Sequence, residues 1–472
     1  MKSLFQKLNE TKTFKKLTKQ EFSWVLYDVG NSAYTMLTCS LVPIWFKALA
    51  CLNSVDKEAE LIAAKGLGKV EGELYVRELA HSAGLLSQNE ATSWYGNAIT
   101  IVTILIALIG PICGALADHK DTRKLFFTTT VAAGTLACVL NSFATSWVLF
   151  LIIYIIAKMF YQASLTFYDS MLNDVTTDER SDEVSSYGYA WGYIGSCIPF
   201  LIALLAYILT PGADMGFSIL SDSLGKIFGS VVTAGWWLLV SVPLIKNYKQ
   251  INYVAETKGA ISKTFKKIGS TIKTIISKDK KVLFFLVAFF LYIDGVNTII
   301  DHCINLGTAL GLNTVGQVVF LLLTQVVAFG GSLVFARLSK TKDTVSLIKI
   351  CIVGYTCVCL YALTLKELWQ FAVMAFGVGC FQGSIQSLSR SYYSRIIPDE
   401  NSGEYFGIYD IFSKGASALG SLVISIITVI PGGNINIAVG SLAAFFILGY
   451  IFLSIADKKP QSIESKKDII GD

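Results

Sequence analysis

The chain has 472 residues, of which 53% are apolar and only 15% are charged. A soluble domain carries about 25% charged residues, so this composition excludes an ordinary water-soluble protein. The net charge of +5 is explained by basic segments that face an anionic membrane surface. No zinc-binding or RNA-binding motif accompanies the charge, so the expected partner is a lipid bilayer and not a nucleic acid.

Apolar runs long enough to cross a bilayer recur from Trp24 to Asp457. A bilayer core roughly 30 Å thick needs about 20 mostly apolar residues in a helix. No segment alternates apolar and polar residues as a membrane barrel strand does, so an all-α membrane protein is predicted. The twelve predicted spans are residues 24–46, 94–117, 125–143, 146–172, 186–209, 226–245, 282–303, 313–338, 346–364, 369–395, 405–430 and 435–456.

The start of the chain predicts a retained first helix. A lysine-rich segment, residues 1–23, precedes the first span, which contains Asp28 and Asn31 and has no small-residue cleavage site behind it. Most of the 39 lysines and arginines fall on segments that share a side with the N-terminus. The positive-inside rule therefore predicts that both termini are cytoplasmic, the C-terminal one as a tail at 457–472.

Two long loops divide the chain. The external loop at 51–92 is rich in acidic and helix-forming residues, and we predict a short helical hairpin there without assigning it a function. The basic linker at 246–281 separates a six-helix bundle at 24–245 from a second one at 282–456.

Apolar residues in this linker recur at helical spacing and are surrounded by lysines. This pattern favours an amphipathic helix on the inner leaflet, and a tether whose lysines only set topology is an equal alternative. The apolar residues are Ile261, Phe265, Ile268, Ile272 and Ile275.

The two halves of the chain resemble each other. The segment Leu26–Asn31 matches Leu291–Asn297 with one residue inserted, and Asp121-Thr122 matches Asp343-Thr344 at an offset of 222 residues. Three further matches follow at nearly the same offset. Transporters built from repeats place the substrate at the repeat interface, so a central site between the halves is expected. The further matches are Gln162-Ala163-Ser164 with Gln382-Gly383-Ser384, Asp178-Glu179 with Asp399-Glu400, and Tyr187-Gly188 with Phe406-Gly407.

Several motifs carry a family resemblance. The string Gly110-Pro111-Ile112-Cys113-Gly114-Ala115-Leu116-Ala117-Asp118, followed by Arg123-Lys124, resembles the helix 2 to 3 signature of the major facilitator superfamily. The chain is also similar to the branch that contains the fungal autophagy-related vacuolar amino-acid effluxers and their bacterial relatives. The motifs that carry this similarity are Trp24-Val25-Leu26-Tyr27-Asp28, Tyr187-Gly188-Tyr189-Ala190-Trp191-Gly192, Gln386-Ser387-Leu388-Ser389-Arg390-Ser391 and Phe406-Gly407-Ile408-Tyr409-Asp410.

This resemblance implies two pseudo-symmetric six-helix bundles that move a small organic solute outward by alternating access, with neutral or bulky apolar amino acids as the expected class. The chain departs from the family pattern at Asp121-Thr122, where a Gly-Arg pair is expected, and at Asp169 and Asn173, where relatives usually have Asn and Pro. The second departure places an extra carboxylate near the inner mouth and indicates an altered substrate or coupling ion.

Ionisable residues inside the membrane are functional candidates by default, because a charge at the bilayer centre costs about 2.5–3.5 kcal/mol. Asp294 is predicted to be a protonatable coupling carboxylate or a counter-ion to a substrate amine, with a structural role as the alternative. Lys158 is predicted to pair with Asp294 or Asp28 or to anchor a substrate carboxylate, with a structural ion pair as its alternative. The full set of substrate and coupling candidates is Asp28, Asn31, Lys158, Asp294, Asn297, Gln325, Gln382, Gln386 and Lys414.

A gate at the cytoplasmic end is predicted around Arg390, with Asp410 or Asp169 as its partner and with Asp118 and Arg123 from the helix 2 to 3 signature. Glycines are expected to permit close helix contact in the same region. They are Gly110, Gly114, Gly188, Gly192 and Gly195.

The sequence contains no phosphate-binding G-x-x-x-x-G-K-[ST] loop, and we expect no catalytic residues, metal site or cofactor. The energy for transport is therefore expected from an ion gradient, with protons favoured over sodium. A bacterial plasma membrane is the predicted location, with a vacuolar membrane as the alternative, and no obligate protein partner is implied. Another solute class (sugar, peptide or drug), a membrane-embedded enzyme and a non-transporting sensor are the alternative functions.

Overall fold

A computed structural model describes residues 17–51, 55–210, 222–254, 260–309, 314–415, 418–429 and 435–460. The first sixteen residues and the tail from 461 onward, which belong to the predicted cytoplasmic ends, lie outside the described residues. The side chain of Lys414 lies outside them as well.

The described residues form α-helices joined by short connections and one 3₁₀ turn, Asp399–Asn401. In chain order the helices are α1 (Lys19–Ala50), α2 (Val55–Ala64), α3 (Lys69–Ser82), α4 (Gln88–Ala117), α5 (Thr122–Asn141), α6 (Trp147–Ser170), α7 (Leu172–Val175), α8 (Ser181–Ile208), α9 (Asp222–Asn247), α10 (Ala260–Ser277), α11 (Lys280–Ala309), α12 (Thr314–Leu338), α13 (Thr344–Ala362), α14 (Leu368–Ile396), α15 (Ser402–Gly415), α16 (Ala418–Val429), α17 (Ile435–Ser441) and α18 (Ala443–Asp457).

Local sequence determines where several of these helices begin. The Thr18 hydroxyl accepts a hydrogen bond from the Glu21 amide at 3.2 Å, and the Glu21 carboxylate accepts one from the Thr18 amide at 2.7 Å. Ser87 and Glu90 form the same reciprocal pair at the start of α4. Each pair satisfies backbone donors that have no partner within the helix, which starts the helix at that residue.

Eleven of the described segments are long and apolar enough to cross a membrane. The predicted eleventh span, 405–430, corresponds to α15 and α16, which are separated by the undescribed residues 416–417. Neither helix reaches eighteen residues alone, although α16 contains the apolar segment Leu419–Thr428. The arrangement is therefore consistent with twelve crossings.

Each half of the chain has its own hydrophobic core. One core contains buried residues from Phe22 to Tyr248, with Ala336 as its one fully buried contribution from the second half. The other contains buried residues from Ile275 to Ala456. We refer to the helices of residues 19–247 as the N-bundle and to those of residues 280–457 as the C-bundle. They meet where α4 packs against α15, and where α8 packs against α12 and α14.

The two long loops contain helices of their own. In the loop at 51–92, α2 packs against α3, and the Leu86 amide donates to the Ala50 carbonyl at 2.8 Å to close the base of the loop. In the central linker, α10 contacts α4 and α11, with Ile275 buried and Ile272 and Ile276 exposed. The helical spacing noted in the linker thus corresponds to α10, while its placement on a leaflet remains a prediction.

The repeated Asp-Thr pairs adopt different conformations. Asp343 caps α13, since its carboxylate accepts a hydrogen bond from the Ser346 amide at 2.9 Å, and this bond lowers the pKa of Asp343 below its ordinary value. Asp121 precedes α5 with a φ of 59°, in the left-handed region, and makes no side-chain cap. The third membrane span of each half therefore begins differently, since α13 has a side-chain cap and α5 does not.

Candidate functional site between the two bundles

One end of the molecule carries most of the polar contacts that the structure shows between the bundles. We call it the terminal face, because α1 begins there and α18 ends there. An ion pair between Glu21 and Arg180 at 2.9 Å joins the starts of α1 and α8, and one between Lys349 and Asp457 at 3.1 Å joins α13 to the end of α18. Under the predicted orientation, the terminal face is the cytoplasmic end.

Arg390 of α14 reaches from the C-bundle into the N-bundle at this face. Its Nη1 lies 2.9 Å from Oδ1 of Asp169, and its Nη2 lies 3.3 Å from Oδ2 of Asp28. Its Nε donates to the Ser185 hydroxyl at 3.0 Å, and Nη2 donates to the Ser185 carbonyl at 3.2 Å. The Arg390 side chain is 3% exposed, so it is held by protein groups instead of water.

Three aromatic rings surround the same guanidinium. Its central carbon lies 4.5 Å from the ring centroid of Trp24, 4.6 Å from that of Tyr189 and 5.3 Å from that of Tyr168. Cations are attracted to the face of an aromatic ring at these distances. We call the set of Trp24, Asp28, Tyr168, Asp169, Ser185 and Tyr189 the Arg390 cage.

Glycines on α8 allow the cage to form. A Cβ at Gly188 would overlap Oδ2 of Asp28 and would lie 3.3 Å from Nη2 of Arg390. A Cβ at Gly192 would lie 2.8 Å from the Ser32 hydroxyl. Close packing of α8 against α1 therefore depends on glycine at these positions, as the sequence indicated.

A second contact between the bundles contains the signature motif. Asp118, at the end of α4, accepts hydrogen bonds from the amides of Gly403 at 2.7 Å and Glu404 at 2.9 Å, which begin α15. Arg123 lies 2.6 Å from Oδ1 of Asp118 and 2.8 Å from Oδ2 of Asp174, and its side chain is completely buried. Free amides and the helix dipole favour a carboxylate at the start of a helix.

Burial raises the pKa of Asp118 to about 6, although Arg123 and the two amides act to lower it. Asp118 faces the Arg123 guanidinium and the two amides, which favour its charged form, so it can act as the anion of this contact.

A third contact was not foreseen from the sequence. Asp182, in the first turn of α8, lies 3.0 Å from Nη2 of Arg395, at the end of α14. The internal repeat could have drawn attention to Arg395, because this residue follows Asp174 by 221 residues, which is the offset between the repeats. Asp174 and Arg395 occupy equivalent positions with opposite charge, and each forms an ion pair at the terminal face.

Of the two partners predicted for Arg390, Asp169 lies within ion-pair distance of the guanidinium. Asp28, which was predicted to belong to the central site, also lies beside this guanidinium. Asn31 lies in the same region and donates to Asp28 at 3.1 Å. Asp410 is 1% exposed and accepts a hydrogen bond from Thr166 of the N-bundle, so it belongs to the same interface.

Asp294 is fully buried in α11. Its two carboxylate oxygens lie 3.1 and 3.2 Å from the amide nitrogen of Gly420 on α16, and Thr298 donates to it at 3.3 Å. These contacts join α11 to α16 around a buried carboxylate.

Lys158 lies against residues of the N-bundle. Its ammonium donates to the Thr38 hydroxyl at 3.4 Å and lies 5.3 Å from the ring centroid of Tyr161 and 5.9 Å from that of Tyr34. Across from it, Gln325 of α12 donates to the Met36 sulfur of α1 at 3.2 Å, which joins the two bundles. The remaining central candidates, Asn297, Gln382 and Gln386, are half-buried.

Comparison with known proteins decides the family. The family model described as "Vacuole effluxer Atg22 like" matches residues 17–465 of the chain. The chain belongs to this Atg22-like family. The MFS-type transporter YxiO of Bacillus subtilis (strain 168) is 33% identical over 457 residues, which cover 96% of this chain and 98% of YxiO. Autophagy-related protein 22 of Eremothecium gossypii is 22% identical and covers 86% of this chain and 85% of that protein.

Solved structures show the fold of this Atg22-like protein. The human organic anion transporter MFSD10 superposes with a TM-score of 0.67 at 13% identity, covering 92% of this chain and 99% of that one. The proton:xylose symporter XylE gives 0.67 at 11% identity, with 92% and 95% covered. The transporter FucP, in the outward conformation, gives 0.62 at 14% identity, with 93% and 98% covered. The predicted major facilitator fold and the prediction of a transporter instead of an enzyme are confirmed.

Proposed function

We propose that this protein exports a small organic solute of the amino-acid class by alternating access, driven by a proton gradient. The observation that supports alternating access most directly is the pairing of Arg390 with Asp28 and Asp169, because these ion pairs join the C-bundle to the N-bundle at the terminal face. Opening that face requires the bundles to separate, which breaks these pairs.

The three contacts of the terminal face form one gate in this proposal. Asp118 binds the start of α15, Arg390 fills its cage, and Arg395 binds Asp182. Each contact joins one bundle to the other, so all three form and break together when the bundles rock. The gate is closed in this structure, and we place it at the cytoplasmic end because basic residues are concentrated on the terminal side.

The solute class rests on the family and on two central charges. The family model carries the description of a vacuole effluxer, and the family resemblance implies amino acids. An amino acid requires an anionic and a cationic partner, which Asp294 and Lys158 provide. Asp294 is the proposed proton carrier, since a carboxylate at low dielectric can exchange protons near neutral pH.

Replacing Asp294 with asparagine is expected to reduce proton-driven exchange of the solute at least about tenfold, because a hydrogen bond to a charged group contributes roughly 1.5–3 kcal/mol. The measurement is uptake of labelled amino acids by liposomes with and without an imposed pH gradient, with sugars and dipeptides tested in parallel. Asp457→Asn is the control, since it removes a surface ion pair of small energetic value.

Proton-driven exchange that is unchanged in Asp294→Asn contradicts the assigned role of this carboxylate. Exchange of a sugar or a dipeptide but of no amino acid contradicts the solute class and leaves the transporter fold in place.

A further inference from the structure

Every side chain of the Arg390 cage belongs to the N-bundle, whereas the cation inside it belongs to the C-bundle. Trp24 and Asp28 lie on α1, Tyr168 and Asp169 on α6, and Ser185 and Tyr189 on α8. Separation of the bundles, as alternating access requires, withdraws Arg390 on α14 and leaves the cage behind.

Contacts within the N-bundle hold the cage together independently of Arg390. The Trp24 indole nitrogen donates to the Tyr168 carbonyl at 3.0 Å, and the two rings stack with centroids 4.4 Å apart and an interplanar angle of 17°. Asn31 donates to the Asp28 carboxylate at 3.1 Å. These contacts orient two walls of the cage and one of its carboxylates before any cation enters.

The vacated cage has the chemistry of a cation site. Two carboxylates and three ring faces surround one position, and its present occupant is a planar guanidinium that bonds both carboxylates with different nitrogens. Departure of that group leaves two acidic side chains that are only 10% and 16% exposed. Buried charges require a partner, so a vacated cage favours the binding of another cation.

Tyrosine hydroxyls from α1, α6, α8 and α15 also interact electrostatically with Asp28 or Asp169. They are Tyr27, Tyr161, Tyr168, Tyr189, Tyr193 and Tyr409.

We propose that the Arg390 cage binds the guanidinium group of a cationic solute when the terminal face is open, and that Arg390 takes the place of this group when the face closes. The site extends the substrate range to guanidino compounds such as arginine and agmatine. A guanidinium suits the cage better than an ammonium because it is planar, stacks on rings and reaches two carboxylates at once. The proposal rests on the alternating access inferred above.

Asp169 supplies the second carboxylate, so a single Asp169→Asn substitution leaves the cage with one carboxylate.

The test compares L-arginine with L-citrulline, its neutral isostere, by thermal shift of the purified full chain at constant ionic strength. The Arg390→Ala variant removes the internal competitor, so arginine is expected to raise its apparent Tm at concentrations about tenfold lower than in the wild type. Citrulline is expected to give no comparable shift. Adding Asp169→Asn to this variant should abolish the preference for arginine.

Lys340→Ala is the matched control. It removes another cation that pairs across the bundles at the same face, with Glu183 at 2.8 Å and outside the cage. Its exposed ion pair contributes little energy, so this variant should not lower the arginine concentration required. If Arg390→Ala does not fold, Arg390→Lys replaces it, and counterflow of labelled arginine against citrulline in the wild type gives the second measurement.

Equal responses to arginine and citrulline in Arg390→Ala overturn the proposal. Stabilisation of that variant by sodium or by acid alone, without discrimination between the two ligands, also overturns it, because a small ion then neutralises the carboxylates. Exchange of neutral amino acids without arginine discrimination rejects the cage and retains the proposed function. Arginine discrimination without exchange of any amino acid retains the cage and rejects the proposed function.

Discussion

Substitution of Arg390 by alanine is expected to open the terminal face. The variant leaves Asp28 and Asp169 facing each other without their guanidinium, and breaking a buried ion pair costs about 3–5 kcal/mol. The closed state alone contains the pair, so the cost shifts the population toward the open state. The measurement is the rate at which a thiol reagent modifies Ser387→Cys, whose parent side chain is fully buried between α14 and α8.

The rate in Arg390→Ala is expected to rise at least about tenfold, since each 1.4 kcal/mol changes a population tenfold. Lys340→Ala is the control, because Lys340 also pairs across the bundles, with Glu183 at 2.8 Å, but is 44% exposed. Exposed pairs contribute about 0–1 kcal/mol, so this variant should react nearly as the parent does. An unchanged rate and unaltered transport in Arg390→Ala would rule out the gate assignment.

Substitution of Gly114 by alanine is expected to prevent closure by a different mechanism. A Cβ at Gly114 would overlap the carbonyl of Gly403, and this neighbour is backbone that cannot rotate away. Overpacking of this kind costs roughly 1–3 kcal/mol or more. The contact between α4 and α15 exists in the closed state, so the variant should favour the open state. The thiol reagent should therefore modify Ser387→Cys faster in this variant.

Gly110→Ala provides a matched control one turn earlier on the same helix. The nearest atom to a Cβ there, other than the Ile106 side chain on α4, is the Gly407 carbonyl oxygen at 3.8 Å, an ordinary van der Waals distance. This variant should behave like the parent. If both glycine variants react at the parent rate, close approach of α4 and α15 does not limit closure. If both react faster, loss of glycine flexibility explains the effect, and the overlap of the Cβ with the Gly403 carbonyl does not.

The gate illustrates what sequence reasoning reached and where it stopped. Arg390 was predicted to pair with Asp410 or Asp169, because charges inside membrane spans require partners. Asp28 was assigned elsewhere, although it lies 362 residues from Arg390 in the chain and 3.3 Å from it in the structure. Such a pairing depends on how α1, α8 and α14 pack, and no local pattern encodes that packing.

Trp24 and Tyr189 show the same limit. In the sequence they are aromatic residues of apolar helices, which usually pack against other helices or lie at the membrane interface. In the structure they enclose a guanidinium. Only the position of the opposite helix distinguishes these roles.

The sequence by itself determined the membrane environment, the helical class, the two-fold repeat and the family. These properties follow from hydrophobic length, charge distribution and spacing, which are local or periodic along the chain. The tertiary structure decided which charges meet and which glycines are required. Those properties depend on contacts between residues far apart in sequence, where a helix rotation of a few tens of degrees changes the partner of a side chain while the hydrophobic pattern stays the same.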